Sequence, residues 1–224
     1  MCEYVEGDVL VGWMKKNSKP SIDRVAKIIN QLIKSVRELH RKETLHQDIK
    51  SDNIIIGRDD HVTLIDFGSC FISGIVEIEA AFEREMALGT TIYSAPECKL
   101  RRRSSPKLDT FSITFVMYVM LTGKYPYGNK FGNCQSTNDF YRFNYHSACD
   151  INPMVPKCMD GVLQKKALQI SQDLRYDALS EFMYDLECPN AGFQDKSHFP
   201  TSERNPLVFW QGILAILLAL QMAT

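Results

Sequence analysis

The sequence predicts an α+β domain that is mainly helical, and three segments carry that prediction. The segment 108–121 is apolar nearly all round, which is typical of a central, buried helix. Two short apolar runs, at 54–56 and 61–65, flank the polar residues 57–60 and predict a β-hairpin. A long helix is predicted after Pro20-Ser21, because apolar residues follow at the spacing of one buried face: Ile22, Val25, Ile28, Ile29, Leu32, Ile33, Val36 and Leu39.

Composition limits the classes of protein that the chain can represent. With 224 residues, 45% of them apolar, and a formal net charge of −1, the chain can bury a sizeable core as one domain. Near neutrality argues against a nucleic-acid partner, which would favour a strongly basic face. The seven cysteines are odd in number and include no C-x-x-C pair. That pattern favours free thiols in a reducing compartment over disulfides or a zinc site.

The predicted hairpin is bracketed by residues that suit phosphoryl transfer. Asp48, Lys50 and Asn53 form the pattern D-x-K-x-x-N before the first strand, and Asp66 follows the second. Transfer of a phosphoryl group to a hydroxyl needs a proton acceptor, a cation on the moving phosphate, and oxygen ligands for magnesium. The pattern therefore predicts Asp48, Lys50 and Asn53 as catalytic residues. Asn53 and Asp66 are the predicted magnesium ligands, brought together by the hairpin.

Each of these residues also has a purely structural interpretation. Asp48 can cap a turn, Lys50 can be a solvated surface charge, and Asn53 can form an Asx turn. Asp66 is harder to explain in that way. It ends an apolar strand, where an unpaired carboxylate would be costly to bury, and a magnesium ion gives it a partner.

These motifs, followed by GTTIYSAPE at 89–97, resemble the catalytic loop, the Asp-Phe-Gly and the Ala-Pro-Glu segments of the protein kinase superfamily. The resemblance implies a protein-kinase-like C-lobe. It also implies ATP as a cofactor with Mg²⁺, held through Lys50 and Asp66. The opening MCEYVEGD resembles the kinase hinge, where backbone groups at Glu3 and Val5 would bind the adenine edge. Ile55 would form the lower wall of the adenine pocket.

The same resemblance assigns partners to two buried acids. Asp109, at the start of the predicted central helix, is expected to accept backbone hydrogen bonds from the loop at His46 and Gln47. Glu97, the acid of the Ala-Pro-Glu segment, is expected to pair with Arg175 beneath the substrate-binding segment. These parts build a platform for a protein substrate.

Several positions refine or depart from the kinase pattern. Lys50, two residues after Asp48, is typical of serine/threonine kinases, and Thr90 is expected to hydrogen-bond both residues. Gln47 replaces the arginine that receives an activation-loop phosphate, so switching by loop phosphorylation is not expected. Ser51 replaces the usual proline, a change that should be tolerated.

The N-terminal part of the chain departs most from the kinase pattern. No glycine-rich loop, third-strand lysine or helix-C glutamate is found in the sequence, so we expect residues 1–187 to be a hinge and C-lobe without the N-lobe. Because positioning of the phosphates supplies most of the rate in this chemistry, we expect the 224-residue chain alone to bind ATP weakly. Transfer above background is not expected from it.

The tail predicts membrane attachment. Pro189, Gly192 and Pro200 mark a linker over 188–205, and no charged side chain occurs in 207–224. As a helix, that uncharged stretch spans about 27 Å, just under the roughly 30 Å of a hydrocarbon core. We therefore expect a C-terminal hydrophobic helix at 206–224 as a tail anchor. An amphipathic or core helix is the alternative.

Six stretches together narrow the resemblance to one bacterial family, in which a metal-dependent phosphatase domain, a serine/threonine kinase domain and a C-terminal membrane segment are joined. They are LHQD, GTTIYSAPE, LTGKYPYG, YRFNYHSACDINPMVPKCMDGVLQKKAL, RYDALSEFMYDLECPN and ERNPLVFWQG. This resemblance implies a single-pass protein of the bacterial inner membrane with its kinase portion cytoplasmic. A phosphatase domain and an N-lobe would lie upstream in that family.

The sequence thus predicts a partial serine/threonine protein kinase domain that transfers the γ-phosphate of ATP to a protein hydroxyl. One alternative is a pseudokinase-like scaffold that binds partners without catalysis, but the intact set of Asp48, Lys50, Asn53 and Asp66 argues against it. The other is a small-molecule phosphotransferase with a kinase-like fold. The Ala-Pro-Glu segment, with Asp109 and Arg175, disfavours that alternative.

Overall fold

The computed structural model describes residues 4–72, 91–100 and 105–187, and these are mainly helical, as the sequence predicts. The helices are α1 Leu10–Lys16, α2 Ile22–Arg41, α3 Pro96–Lys99, α4 Pro106–Thr122, α5 Thr137–Phe140, α6 Ala148–Ile151, α7 Lys157–Val162 and α8 Leu179–Glu187. The strands are β1 Asp8–Val9, β2 Thr44–Leu45, β3 Ile54–Ile56, β4 Val62–Leu64 and β5 Phe71–Ile72.

The two long predicted helices are both confirmed. Helix α2 begins after Ser21, whose hydroxyl accepts a hydrogen bond from the Arg24 amide at 3.2 Å, and it buries the predicted apolar face. Helix α4 buries every residue from 108 to 121, so it can only lie inside the domain. Gly123 ends α4 with a φ of +68°, a left-handed conformation that glycine adopts without strain.

The predicted hairpin is also confirmed. Strands β3 and β4 pair antiparallel with Ile54 opposite Leu64, and β1 adds a third strand with Val9 opposite Ile55. The second strand is shorter than predicted because His61 belongs to the turn: its amide donates to the carbonyl of Arg58. Strands β2 and β5 form a separate two-stranded sheet.

The core lies where α2 packs on α4, and a group of aromatic rings extends it toward α5. The rings are those of Phe111, Phe115, Tyr127, Phe131 and Phe140. Cysteines 70, 98, 134, 149 and 158 are free thiols in this part of the chain, as expected. The predicted linker at 188–205 and the predicted hydrophobic helix at 206–224 lie outside the described residues. Among the residues described, no helix is both long and apolar enough to span a membrane.

Candidate active site

The three predicted catalytic side chains meet in one cluster. The Lys50 ammonium lies 2.6 Å from Oδ2 of Asp48. The amide nitrogen of Asn53 donates to the backbone carbonyl of Asp48 at 2.8 Å and to its Oδ2 at 3.0 Å. The side chains of Asp48 and Lys50 are 18% and 14% exposed, so this ion pair is partly accessible to solvent. The structure therefore brings together three residues that the sequence singled out, while their catalytic roles stay predictions.

The hairpin sets the distance between the two predicted metal ligands. A 3₁₀ turn over Ser51–Asn53 leads into β3, and the amide of Ile65 donates to the carbonyl of Asn53 at 2.9 Å. Asn53 is thereby held beside the strand end from which Asp66 projects. Asp66 is exposed and has a φ of +64°, a conformation that costs about 1 to 3 kcal/mol for a residue other than glycine.

The oxygen donors at this end of the hairpin are few. The amide nitrogen of Asn53 is committed to Asp48, so its amide oxygen and the Asp66 carboxylate are the atoms suited to a metal. Within the described residues, no three His, Cys, Asp or Glu side chains come together as a metal-holding group. Mg²⁺ keeps several waters and is often held by one or two carboxylates together with substrate phosphates. This donor set fits magnesium that is shared with a nucleotide.

Asp109 anchors the catalytic loop from the central helix. Its carboxylate is fully buried and accepts the backbone amides of His46 at 3.0 Å and Gln47 at 2.9 Å. Both hydrogen bonds were predicted and are confirmed. The imidazole of His40, at the end of α2, adds a third contact at 2.8 Å. A buried carboxylate is stable only when such partners surround it.

Sequence reasoning missed the role of His40. It is a polar residue at the last turn of an amphipathic helix, a position that ordinarily faces solvent. Its contact with Asp109 depends on how α2 crosses α4, and neither the spacing nor the residue type of His40 indicates that crossing.

His46, two residues before Asp48, is fully buried. Burial lowers the pKa of its imidazole, although the nearby Asp109 carboxylate opposes that shift. The ring meets the ring of Phe67 edge to face, with centroids 5.2 Å apart. His46 is therefore a neutral, packed residue at pH 7, and it links the catalytic loop to the Asp-Phe-Gly segment.

The predicted ion pair between Glu97 and Arg175 is confirmed. The guanidinium of Arg175 donates to both carboxylate oxygens of Glu97, at 2.6 and 3.0 Å, and both side chains are almost fully buried. Arg175 also donates to the carbonyls of Gln169 and Ile170 and lies over the ring of Phe111. Four N–H groups of the guanidinium thus donate to acceptors, and its face packs on an aromatic ring.

The predicted adenine-binding residues lie in part within the described chain. Ile55 is only half buried, whereas Ile54 and Ile56 on the other face of β3 are buried in the core. Val5, also half buried, precedes β1 of the same sheet. This segment runs against β3: a Cβ on Gly7 would lie 2.6 Å from the carbonyl oxygen of Ile56. Glu3 and Thr90 lie outside the described residues.

Comparison with known proteins agrees with this geometry. The family model of the protein kinase domain matches residues 1–177. Over 99 residues, 44% of this chain, it is 39% identical to "Hormonally up-regulated neu tumor-associated kinase" of Mus musculus. Over 129 residues, 57% of the chain, it is 33% identical to "Probable serine/threonine-protein kinase KIN1 homolog" of Enterocytozoon bieneusi. Over 128 residues, also 57%, it is 34% identical to "Serine/threonine-protein kinase STE20" of Debaryomyces hansenii.

The matched segments cover 14%, 21% and 11% of those three relatives, so the chain spans only a small part of their length. None of the three is bacterial, and the expected likeness to bacterial phosphatase–kinase proteins stays a prediction. The family model nevertheless covers most of the chain, including the catalytic loop, the hairpin and Arg175. This chain belongs to the protein kinase domain family.

Proposed function

We propose that this chain acts as the catalytic part of a serine/threonine protein kinase, which transfers the γ-phosphate of ATP to a hydroxyl of a protein. Asp48 would accept the hydroxyl proton and orient the hydroxyl toward the phosphate. Lys50 would offset charge on the transferred group. Magnesium, held through Asn53 and Asp66, would neutralise the nucleotide phosphates when bound. The backbone of Glu3 and Val5, with the side chain of Ile55, would hold the adenine.

The cluster around Asp48 is the observation that carries this proposal. Oδ2 of Asp48 receives both the Lys50 ammonium and the Asn53 amide, so the direction of the carboxylate is fixed before any substrate arrives. Preorganised groups of this kind need no rearrangement during the reaction. A scaffold without catalysis gives no reason for a lysine, an amide and a carboxylate to converge at a partly exposed point.

A protein acceptor is favoured over a small molecule by the buried pair of Glu97 and Arg175. It holds α3, directly after the segment 91–95, against the body of the domain. A segment fixed in this way offers a rigid surface on which a polypeptide can lie. The printed names of the KIN1 homolog and of STE20 describe serine/threonine-protein kinases, which agrees with Lys50 two residues after Asp48.

We also propose that residues 206–224 attach the protein to the bacterial inner membrane as a single span, with the kinase portion in the cytoplasm. The support comes from the uncharged sequence of 207–224 and from the need of a kinase for cytoplasmic ATP. We likewise propose that the protein is related to the bacterial phosphatase–kinase family, on the sequence stretches that resemble it.

The proposed activity is tested with Asp48→Asn in a form of the protein that also supplies a glycine-rich loop and its lysine. Asparagine has the same shape as aspartate but cannot accept the proton, so labelling of an acceptor protein from labelled ATP should fall to background. The thermal midpoint should stay within a few degrees of wild type. Lys27→Ala, an exposed change on α2, serves as the control and should label the acceptor normally. Near wild-type labelling by Asp48→Asn would contradict the assigned role.

A further inference from the structure

Two hydroxyl groups join the catalytic loop to the segment that precedes α3. The Oγ of Ser51 lies 3.0 Å from the phenol oxygen of Tyr93, and either group can be the donor. Ser51 is fully buried and Tyr93 is 8% exposed, so water does not compete for this contact. A proline, the usual residue at the position of Ser51, has no hydroxyl and cannot make it.

Tyr93 is held firmly at its other end. Its carbonyl oxygen accepts a hydrogen bond from the Ser112 hydroxyl of α4 at 3.0 Å. Its ring meets Phe115 and Tyr125 edge to face, with centroids 5.1 and 6.1 Å apart. The residue ends the turn Thr91–Tyr93, three positions before the Pro96 that opens α3. A constraint on Tyr93 is therefore a constraint on the backbone of this segment.

Ser51 is equally well placed on the loop side. It opens the turn Ser51–Asn53, three residues after Asp48, and the Asn53 side chain of that turn binds Asp48 directly. Burial raises the pKa of Tyr93 to about 12, so its phenol stays protonated around neutral pH and the contact does not depend on pH there.

We propose that Ser51 is a positioning residue, whose hydroxyl holds Tyr93 and thereby sets the substrate-binding segment at a fixed distance from Asp48. The inference rests on the proposed function, since it assigns a protein acceptor to that segment. If the two hydroxyl groups act as one link, removal of either one breaks it. Removal of the second should then have little further effect on the position of the segment.

A double-mutant cycle on the 224-residue chain tests the link without any catalysis. Ser51→Ala, Tyr93→Phe and the double variant are compared in denaturant unfolding and in hydrogen exchange of amides 93–95. Each single change should speed exchange of these amides about fivefold, which is the effect of losing one neutral hydrogen bond. The double variant should exchange hardly faster than either single variant. Tyr118→Phe is the matched control, because its buried phenol donates to the His146 carbonyl elsewhere. It should leave exchange at 93–95 unchanged.

Steady-state kinetics then separates positioning from simple stability. In an active form of the protein, Ser51→Ala and Tyr93→Phe should each raise KM for the acceptor protein about fivefold and leave KM for ATP nearly unchanged. Tyr118→Phe should leave both constants unchanged. Additive effects in the cycle, or equal changes in the two KM values, would overturn the proposal. Absence of transfer by the wild-type protein supplied with a glycine-rich loop and its lysine would refute the proposed function, whereas the exchange cycle would still decide whether Ser51 holds the segment.

Discussion

At the scale of single residues, Lys99 is an unusual cation. It follows Glu97 and Cys98 in α3, and its ammonium donates to the carbonyl of Gly132 at 2.7 Å and lies 3.5 Å from that of Phe131. Burial lowers the pKa of Lys99 from 10.5 to about 8, and the thiols of Cys134 and Cys98 oppose this shift only weakly. Lys99 thus loses its charge far more readily when the chain is folded than when it is unfolded.

That difference predicts a pH dependence of stability. Between about pH 8 and 10.5 the unfolded chain binds a proton at Lys99 that the folded chain has released, so the contribution of Lys99 to the free energy of unfolding rises with pH in that window. Lys99→Met removes this contribution, because methionine does not titrate. Urea unfolding of both proteins from pH 7.5 to 10.5 should show the difference between them growing in favour of wild type. The exposed Lys15→Met change should leave the wild-type slope intact, and identical slopes for wild type and Lys99→Met would contradict the prediction.

Sequence reasoning correctly brought together residues that are close to one another in the chain. Asp48, Lys50 and Asn53 lie within six positions, so one tight turn brings them together. It failed for His40 and for Ser51 with Tyr93. Their contacts depend on how distant segments cross, and a hydroxyl or an imidazole at those places has many ordinary explanations.

At the scale of elements, Gly123 is needed at the end of α4 because of its backbone conformation and not because of close packing. A Cβ on Gly123 would meet no atom within 4 Å, yet its φ is +68°. Gly12, inside α1, also has open space around it, but it lies within the helix. The two glycines therefore differ in backbone conformation, not in packing.

This contrast predicts opposite effects of the same substitution. Gly123→Ala should lower the free energy of unfolding by about 1 to 2 kcal/mol, because a side chain strains the left-handed conformation. Gly12→Ala should raise it by about 0.5 to 1 kcal/mol, because alanine loses less backbone entropy in a helix. Denaturant unfolding of the two variants measures both effects. Equal shifts in the same direction would show that conformation is not the cause.

The ion pair between α3 and the segment before α8 gives a second prediction at this scale. Arg175→Ala leaves the Glu97 carboxylate buried without a cation, so we expect a loss of about 3 to 5 kcal/mol in unfolding free energy. Lysine should restore only part of it, because a single ammonium cannot bind both carboxylate oxygens. Lys107→Ala breaks the pair with the largely exposed Asp177 and should change stability little. A loss for Arg175→Ala no larger than for Lys107→Ala would contradict this explanation.

Among the elements, the two long helices and the hairpin were predictable and the short helices were not. Helices α2 and α4 have long, regular apolar patterns that local sequence specifies well. The four-residue helices α5 and α6 are too short to show a period. Helix α5 is closed by a capping box between Ser136 and Asp139. Ser147 caps α6, and its hydroxyl also donates to the buried Asp160, a tertiary partner that local sequence does not indicate.

At the scale of the whole molecule, the predicted membrane tail calls for a direct experiment. Residues 206–224 fused to a soluble reporter should carry it into the membrane fraction and keep it there through salt and carbonate washing. An Ile213→Asp, Leu217→Asp double change is the matched control, since two charges in the middle of the stretch should make insertion unfavourable. Recovery of the unaltered fusion in the soluble fraction would favour the alternative of a core or amphipathic helix.

The fully buried contacts of Asp109 have a consequence for how the molecule comes apart. Surface loops ordinarily open on their own, long before the core does. The loop at His46 and Gln47 is tied instead to a carboxylate on α4, so its amides cannot separate from Asp109 without leaving a bare charge inside the core. Native-state hydrogen exchange at these two amides should therefore follow global unfolding. The catalytic machinery and the hydrophobic centre would then be lost in the same cooperative step.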